Sequence, residues 1–336
     1  MILSALLSWA VVTLSSGFMR QSPDYESPLE NQLLMGALVE TLDTSRYWVK
    51  VKAEDYTGWV NELGLKALSD SEKEAYLLTP KLICVAPYAV VREAPSEKAA
   101  VMCDFCMGDL VRAFPSCFGT PACAQASSSA TPSACPRASA CARNTASPQA
   151  PDSRPAPASA KIPAPVPGWL PVLLPDGREG WVLKHEVMDF RALASLSPCA
   201  EGILSLARSF RGTPYMWGGN SNKYFDCSGL VKFCFFMNGV LLPRNASQQA
   251  ACGEPVKEGC YAPGDLLFFG RRNPLRISHV GIYAGEGMFV HASQMVRVDS
   301  LAVYGREVVA ARRILGNEGS GKGAVRVLES PYYFKQ

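Results

Sequence analysis

No run of apolar residues in this sequence reaches the roughly 18 residues that a bilayer-spanning helix needs, so no membrane span is expected. Charge of one sign is not in excess either. The 33 Lys and Arg residues are mixed with 30 Asp and Glu, for a formal net charge of +3, which excludes the concentrated basic surface that a nucleic-acid partner requires. Histidine is scarce: His185, His279 and His291 are the three among 336 residues. Any chemistry that depends on an imidazole therefore has three candidates. The Gly218-Gly219 pair is followed by no Lys and preceded by no strand, so a tight backbone turn is expected there rather than a phosphate cradle.

Cysteine, by contrast, is plentiful. Of the 12 cysteines, Cys103, Cys106, Cys117, Cys123, Cys135 and Cys141 fall within 39 residues. Cys103 and Cys106 have the spacing of half a zinc site, but the tract holds no histidine and the other four lack paired spacing. Disulfides in an exported protein, or a compositionally biased insertion, are expected instead of a metal. Cys234 sits among Phe233, Phe235 and Phe236 and is expected in a core, while Cys199, Cys252 and Cys260 carry no signature. Residues 2–14 are apolar and rich in small side chains, as in a secretory leader, yet lack a positive start and a clear cleavage site. The β-prone Val11-Val12-Thr13-Leu14 makes a first strand the other reading of residues 1–17.

The first part of the chain repeats itself. Arg20-Gln21-Ser22-Pro23 is followed, sixteen residues after Arg20, by Met35-Gly36, and Arg92-Glu93-Ala94-Pro95 is followed at the same spacing by Met107-Gly108. Each copy then reaches a Gly-Trp-Val string, Gly58-Trp59-Val60 and Gly180-Trp181-Val182. Short β-prone runs between turn residues predict two small barrels, at residues 10–68 and 78–190. From Gly36 to Gly58 is 22 residues, whereas Gly108 to Gly180 is 72, which locates an insertion of 50. It matches residues 116–165, mostly Ala, Ser, Pro and Cys, a composition too poor in large apolar groups to offset the entropy of ordering. The repeat resembles tandem bacterial SH3-like domains.

Near Ser197 the pattern changes to a single unit of helices and strands. Apolar spacing predicts a helix over residues 201–210, a second from Cys227 to about Asn238, and a short one after Leu242-Pro243-Arg244. Strands are expected at residues 266–269, 280–283 and 288–291, and a last regular element at residues 308–315. Asp226 and Ser228 around Cys227 are helix-start residues, so the thiol is expected in a first helical turn, where free N–H groups and the macrodipole favour its thiolate. His279 and His291 are equidistant from Gly285 in a Gly-rich turn, which predicts a hairpin with the two rings opposite or nearly opposite on one face. One imidazole could then orient the other, as the third group does in nucleophile–base–orienter triads. His185 follows a barrel strand and is expected at the surface. Trp217 either lines a cleft or packs behind its loop.

Several strings now stand in order: Pro214-Tyr215, Trp217-Gly218-Gly219, Phe225-Asp226-Cys227-Ser228-Gly229-Leu230, Leu242-Pro243-Arg244, Pro263-Gly264-Asp265-Leu266, Ser278-His279-Val280-Gly281 and His291-Ala292-Ser293. Together they resemble the NlpC-type family of bacterial cell-wall cysteine peptidases, over residues 195–316, with residues 317–336 as a tail. The resemblance implies an α+β chain: a compact papain-like cysteine peptidase domain preceded by two all-β SH3-like barrels. It implies Cys227 as nucleophile, His279 as general base and His291 as orienting residue, with no cofactor. Tyr215 resembles a tyrosine facing the catalytic centre, and Asp226 and Ser228 resemble positions that recognise a substrate amine. Members with SH3-like domains cleave the γ-D-glutamyl–diamino acid bond of murein peptides carrying a free N-terminal L-Ala, which implies peptidoglycan-derived peptides as partners and a cell-envelope or periplasmic location. In such members an acidic residue of the first barrel helps bind the amine, and Glu26 and Glu30 are the candidates here. The alternatives are a non-catalytic wall-binding protein, or a thiol amidase or acyltransferase on the same fold.

Overall fold

The computed structural model describes residues 8–114, 166–319 and 323–335. The expected insertion, with Cys117, Cys123, Cys135 and Cys141, lies outside the described residues. The first barrel consists of β1 (Trp9–Val12), β2 (Gly17–Arg20), β3 (Leu29–Leu33), β4 (Leu38–Ser45), β5 (Trp48–Ala53), β6 (Tyr56–Asn61) and β7 (Leu65–Leu68). A helix, α1 (Asp70–Leu78), held by a Ser69/Glu72 capping box, leads to the second barrel. That barrel consists of β8 (Lys81–Cys84), β9 (Tyr88–Arg92), β10 (Val101–Cys106), β11 (Leu110–Ala113), β12 (Trp169–Leu173), β13 (Glu179–Leu183) and β14 (Val187–Asp189).

The repeat is complete at the level of topology. One sheet runs β3-β2-β6-β5-β4-β1-β7 and the other β10-β9-β13-β12-β11-β8-β14, the same order offset by one barrel. The repeated arginines explain why their motif recurs. Arg20 Nη1 donates to the Ser27 carbonyl at 2.6 Å, and Arg92 Nη1 to the Ala99 carbonyl at 2.8 Å, so each closes the loop that follows its strand. Each barrel fills with alternate inward side chains: Val12, Met19, Val39, Val49 and Val60 in the first, Val91, Phe105, Val111, Val172 and Val182 in the second.

The remaining chain forms α2 (Phe190–Ala194), α3 (Ala200–Ser209), β15 (Asn220–Ser221), β16 (Tyr224–Phe225), α4 (Cys227–Phe236), β17 (Val240–Leu241), α5 (Ala246–Gln249), β18 (Glu254–Pro255), β19 (Leu266–Arg271), β20 (Arg276–Gly285), β21 (Met288–Ser293), β22 (Met295–Ser300), β23 (Val308–Arg313) and β24 (Val325–Arg326). A six-stranded antiparallel sheet, β18-β23-β19-β20-β21-β22, backs the helices, so the architecture is α+β behind two all-β barrels. Helix α4 is buried at every position from Ser228 to Phe236, packed between the sheet and α3. A helix that is apolar on most of its circumference has to be enclosed in this way. Cys234 is fully buried within it, as its phenylalanine neighbours predict.

The second barrel and the C-terminal unit share one interior. Ile83 and Leu110 of the second barrel belong to the same core as Phe233 and Val280. The first barrel docks through polar contacts. Its β5–β6 turn places Glu54 against Lys232 Nζ at 2.6 Å, and Tyr333 donates its hydroxyl to the other Glu54 oxygen at 2.8 Å. The tail aromatic Phe334 stacks on Phe190 with ring centroids 5.1 Å apart. The Tyr332-Tyr333-Phe334 string, silent in the sequence, therefore fastens the first barrel to the C-terminal unit. No helix among the described residues is long and apolar enough to cross a membrane.

Candidate active site

Cys227 opens α4. Its N-cap, Asp226, accepts the Gly229 N–H at 2.7 Å, closing the first turn. Gly229 has a steric reason to be glycine, because a Cβ there would lie 1.9 Å from the Gly219 carbonyl oxygen. The Gly218-Gly219 turn thus presses against the helix start, with Gly218 N–H donating to Asp226 Oδ2 at 2.9 Å. Behind this turn, Arg244 is 2 % exposed and grips Asp226 with both terminal nitrogens, while Arg244 Nη1 also donates to Ser228 Oγ at 3.0 Å. Arg244 Nε donates to Asn31 Oδ1 at 2.7 Å and its backbone N–H to Asp55 Oδ2 at 3.0 Å, both in the first barrel. One guanidinium therefore ties the barrel to the helix that carries the thiol.

The Cys227 thiol is half-buried and its pKa is pushed up to about 11. Burial is the main cause and the Asp226 carboxylate adds to it, against the backbone N–H groups of Val280 and Ser228 and the charge of Arg244. The expectation of a helix-start thiolate is thus reversed in the free protein. Desolvation outweighs the macrodipole, so the resting thiol is protonated.

His279 and His291 come together, but not as direct opposites. The pairing of Ile282 with Val290 and Tyr283 with Phe289 sets the hairpin register, with an irregularity before Gly285. Continued down the strands, that register puts His291 beside Gly281, so His279 is its diagonal neighbour. Gly281 makes the diagonal contact possible: a Cβ there would lie 3.1 Å from the His291 Cβ and 2.7 Å from a Phe289 ring carbon. Across the space it leaves, His279 Nε2 and His291 Nδ1 are 2.6 Å apart. Burial, with nearby His291 and Arg306, pushes His279 down to about 3, and burial also lowers His291. Both imidazoles are neutral at pH 7.

Tyr304 covers this pair, its ring 5.1 Å from that of His291 and 6.1 Å from that of His279. On the far side, His291 Nε2 lies 3.1 Å from Asp299 Oδ2, and Arg297 donates from Nε to Asp299 Oδ1 at 2.8 Å. Neither Asp299 nor Tyr304 was among the sequence candidates. The sequence signal for Asp299 is the alternation of Val296 and Val298 with Arg297 and Asp299, which marks a strand. Arg244 stood in a recognised string but had no role attached, because a lone arginine does not reveal its partner.

Tyr215 lies near the sulfur. Burial, with Cys227 and Asp226 nearby, raises its hydroxyl to about 12, so it is a neutral donor. Trp217 is 65 % exposed and so is not packed behind its loop. Ser228 and Asp226 are buried, and the two Asp226 oxygens are already engaged by Arg244, Ser228 and two backbone N–H groups. Of the two acidic candidates in the first barrel, Glu26 is exposed, whereas Glu30 abuts the Gly218 turn: a Cβ on Gly218 would come within 3.0 Å of the Glu30 backbone. Tyr56 donates its hydroxyl to Glu30 at 2.5 Å, and its pKa is pushed up to about 12, first by burial and then by Glu30. His185 is exposed in the second barrel, apart from this cluster. Among the described residues no group of three or more His, Cys, Asp or Glu side chains could hold a metal ion.

Residues 212–313 match the NlpC/P60 family, and residues 19–65 match the bacterial dipeptidyl-peptidase Sh3 domain. A gamma-D-glutamyl-L-lysine dipeptidyl-peptidase from Bacillus cereus is 32% identical over 151 residues, 43% of this chain and 45% of the relative. A gamma-DL-glutamyl hydrolase from Bacillus subtilis is 43% identical over 98 residues, 29% of this chain and 24% of the relative. The chain thus spans less than half the length of these curated relatives. The crystal structure of an NlpC/P60 family protein from Bacillus cereus superposes with a TM-score of 0.67, covering 92% of this chain and 100% of that one at 22% identity, a likeness of fold.

Proposed function

Because the chain carries an NlpC/P60 cysteine peptidase domain behind a bacterial dipeptidyl-peptidase SH3 domain, we propose that it hydrolyses the γ-D-glutamyl–diamino acid bond of murein stem peptides. The observation that supports this reading best is the helix-start thiol of Cys227, bonded by the backbone N–H of Val280, the strand neighbour of His279, which itself belongs to a buried pair of neutral imidazoles. A protonated thiol and a neutral base are the two partners that proton transfer needs.

In this reading, His279 takes the Cys227 proton as the sulfur attacks the γ-glutamyl carbonyl. The C–N bond then breaks, and the imidazolium returns the proton to the departing amine. Water, deprotonated by the same ring, attacks the thioester and releases the γ-glutamyl acid and the free thiol. The Cys227 N–H, at the first position of α4 and without an intrahelical acceptor, is one donor to the oxyanion. His291 orients His279, and Tyr215 donates toward the reacting centre. For a substrate with a free N-terminal amine, the first barrel supplies the Glu30 carboxylate, with Tyr56 fixing it and the Asp226–Ser228–Arg244 cluster forming the wall behind.

The test is direct. Purified protein should release L-Ala-γ-D-Glu from L-Ala-γ-D-Glu-diaminopimelate, and Cys227→Ala should abolish the release. If wild type leaves that peptide uncut but still sediments with isolated sacculi, the wall-binding alternative replaces this reading.

A further inference from the structure

Three side chains on adjacent strands form one hydrogen-bonded line: His279 on β20, His291 on β21 and Asp299 on β22. The pairings of His291 with Arg297 and of Phe289 with Asp299 put all four of these residues on one face of the sheet. His291 therefore reaches diagonally in both directions, to His279 on one neighbour and Asp299 on the other. Its side chain is fully buried, so neither ring nitrogen has solvent as an alternative partner.

We propose that Asp299 is a positioning residue that selects the tautomer of both histidines and thereby leaves the base nitrogen of His279 free. This rests on the reading of His279 as the general base. An ionised carboxylate accepts hydrogen bonds and donates none. Despite the upward push of burial, hydrogen bonds from Arg297 and His291 hold the Asp299 carboxyl below its ordinary range. His291 must therefore carry its proton on Nε2, the nitrogen 3.1 Å from Asp299 Oδ2. In a neutral imidazole that leaves Nδ1 bare, as an acceptor.

The 2.6 Å contact between His291 Nδ1 and His279 Nε2 then needs its hydrogen from His279. With its proton on Nε2, neutral His279 has its lone pair on Nδ1, the nitrogen left for the thiol. The same contact made in the other sense, with His291 Nδ1–H donating, would put the His279 proton on Nδ1 and leave no base. The two arrangements are equally good for the histidine pair alone. Asp299 is what distinguishes them, and Arg297, donating to Oδ1 at 2.8 Å, keeps the other oxygen turned to His291.

Two variants separate this role from mere support of the sheet. In Asp299→Asn, Arg297 still donates to the amide oxygen, which turns the amide nitrogen toward His291 Nε2. An N–H now faces a nitrogen that must accept, and both histidines switch tautomer. Asp299→Ala removes the preference without reversing it. The expected result is a kcat loss on the order of 10²-fold or more for Asp299→Asn, a smaller loss for Asp299→Ala, and an unchanged KM on L-Ala-γ-D-Glu-diaminopimelate in both. A purely structural role gives the opposite order, since Asn is closer to Asp in shape than Ala is. Nitrogen-15 spectra of the histidine rings, simple to assign with three histidines, should show Nε2–H on His279 and His291 in wild type and Nδ1–H on both in Asp299→Asn. Unchanged tautomers in Asp299→Asn, or an Asn variant more active than the Ala variant, would overturn the proposal. The spectra are read without substrate, so they test it even if the wild-type protein proves inactive on the peptide.

Discussion

Arg244 and Asp226 form a buried two-pronged ion pair at the N-terminus of the helix that begins with Cys227. Their side chains are 2% and 8% exposed, so neither charge has water to fall back on. The pair is also one of the points where the first barrel meets the C-terminal unit, because the same guanidinium bonds to Asn31 of that barrel. Removing Arg244 alone should therefore act on stability as well as on the site. Breaking one partner of a buried pair leaves an uncompensated charge and costs about 3–5 kcal/mol. Arg244→Met should lower the urea midpoint by a corresponding amount, and Asp226→Asn in the Arg244→Met background should recover part of the loss. A variant as stable as wild type would mean that the pair contributes little.

The raised thiol and lowered imidazole lead to a second expectation, about reactivity. With Cys227 held at about 11 and His279 at about 3, both the thiol and the ring are neutral in the free protein at pH 7. Only the thiolate alkylates rapidly. Iodoacetamide labelling of Cys227, followed by mass spectrometry of its peptide, should be slow at pH 7 and keep rising through pH 9. A plateau already reached below pH 7 would show a preformed thiolate–imidazolium pair instead.

The same shift sets a pH dependence of stability. A His279 whose folded value is depressed to about 3 binds fewer protons than the unfolded chain, with its ordinary value of 6.5, at any pH between these two. Stability from this group is therefore complete above about pH 6.5 and is lost as pH falls toward 3. Acid-induced loss of the thermal midpoint should begin near pH 6.5 in wild type and be shallower in His279→Gln. Identical acid profiles would count against the buried neutral ring.

Gly281 offers a geometric test. Any side chain there points at the gap across which His279 and His291 meet, and even a Cβ would press on Phe289 at 2.7 Å. Gly281→Ala should displace the His291 ring while leaving the rest of the sheet paired. A misplacement of about 1 Å at a reacting centre can cost about 10²-fold in rate. The expected outcome is a fall of that order in kcat with a modest change in thermal midpoint. Retained kcat would show that the hairpin has more slack than its packing suggests.

The parts of this architecture legible in the sequence were those encoded locally. The spacing from Arg20 to Met35-Gly36, repeated from Arg92, revealed the paired barrels because each motif closes a loop within its own strand neighbourhood. Cys227 was legible as a helix start because its N-cap lies next to it. His279 and His291 stood out because they flank one turn, although that turn falls at Glu286-Gly287, beyond the midpoint Gly285, which makes the two histidines diagonal rather than opposite. What was not legible depended on distant partners. The contact of Arg244 with Asn31 joins positions separated by 213 residues, and that of Glu54 with Tyr333 joins positions separated by 279. Asp299 was missed for another reason: β22 reads as a weak strand, half-buried and interrupted by charge.

The remaining prediction concerns how the first barrel selects substrate. Glu30 and Tyr56 lie where the barrel meets the Gly218 turn, and Tyr56 donates to the carboxylate, which leaves Glu30 other lone pairs for an ammonium. A hydrogen bond to a charged group contributes about 1.5–3 kcal/mol, or roughly ten- to a hundredfold in kcat/KM. Glu30→Gln should therefore lose that factor on L-Ala-γ-D-Glu-diaminopimelate and almost nothing on its N-acetylated counterpart, which has no ammonium to lose. Wild type should cut the free-amine peptide faster by a similar factor. The comparison isolates the barrel's contribution, because neither Glu30 nor the acetyl group touches the thiol or the histidines. Equal cleavage of both peptides by wild type would remove amine recognition from the barrel's role and leave Glu30 as a docking residue.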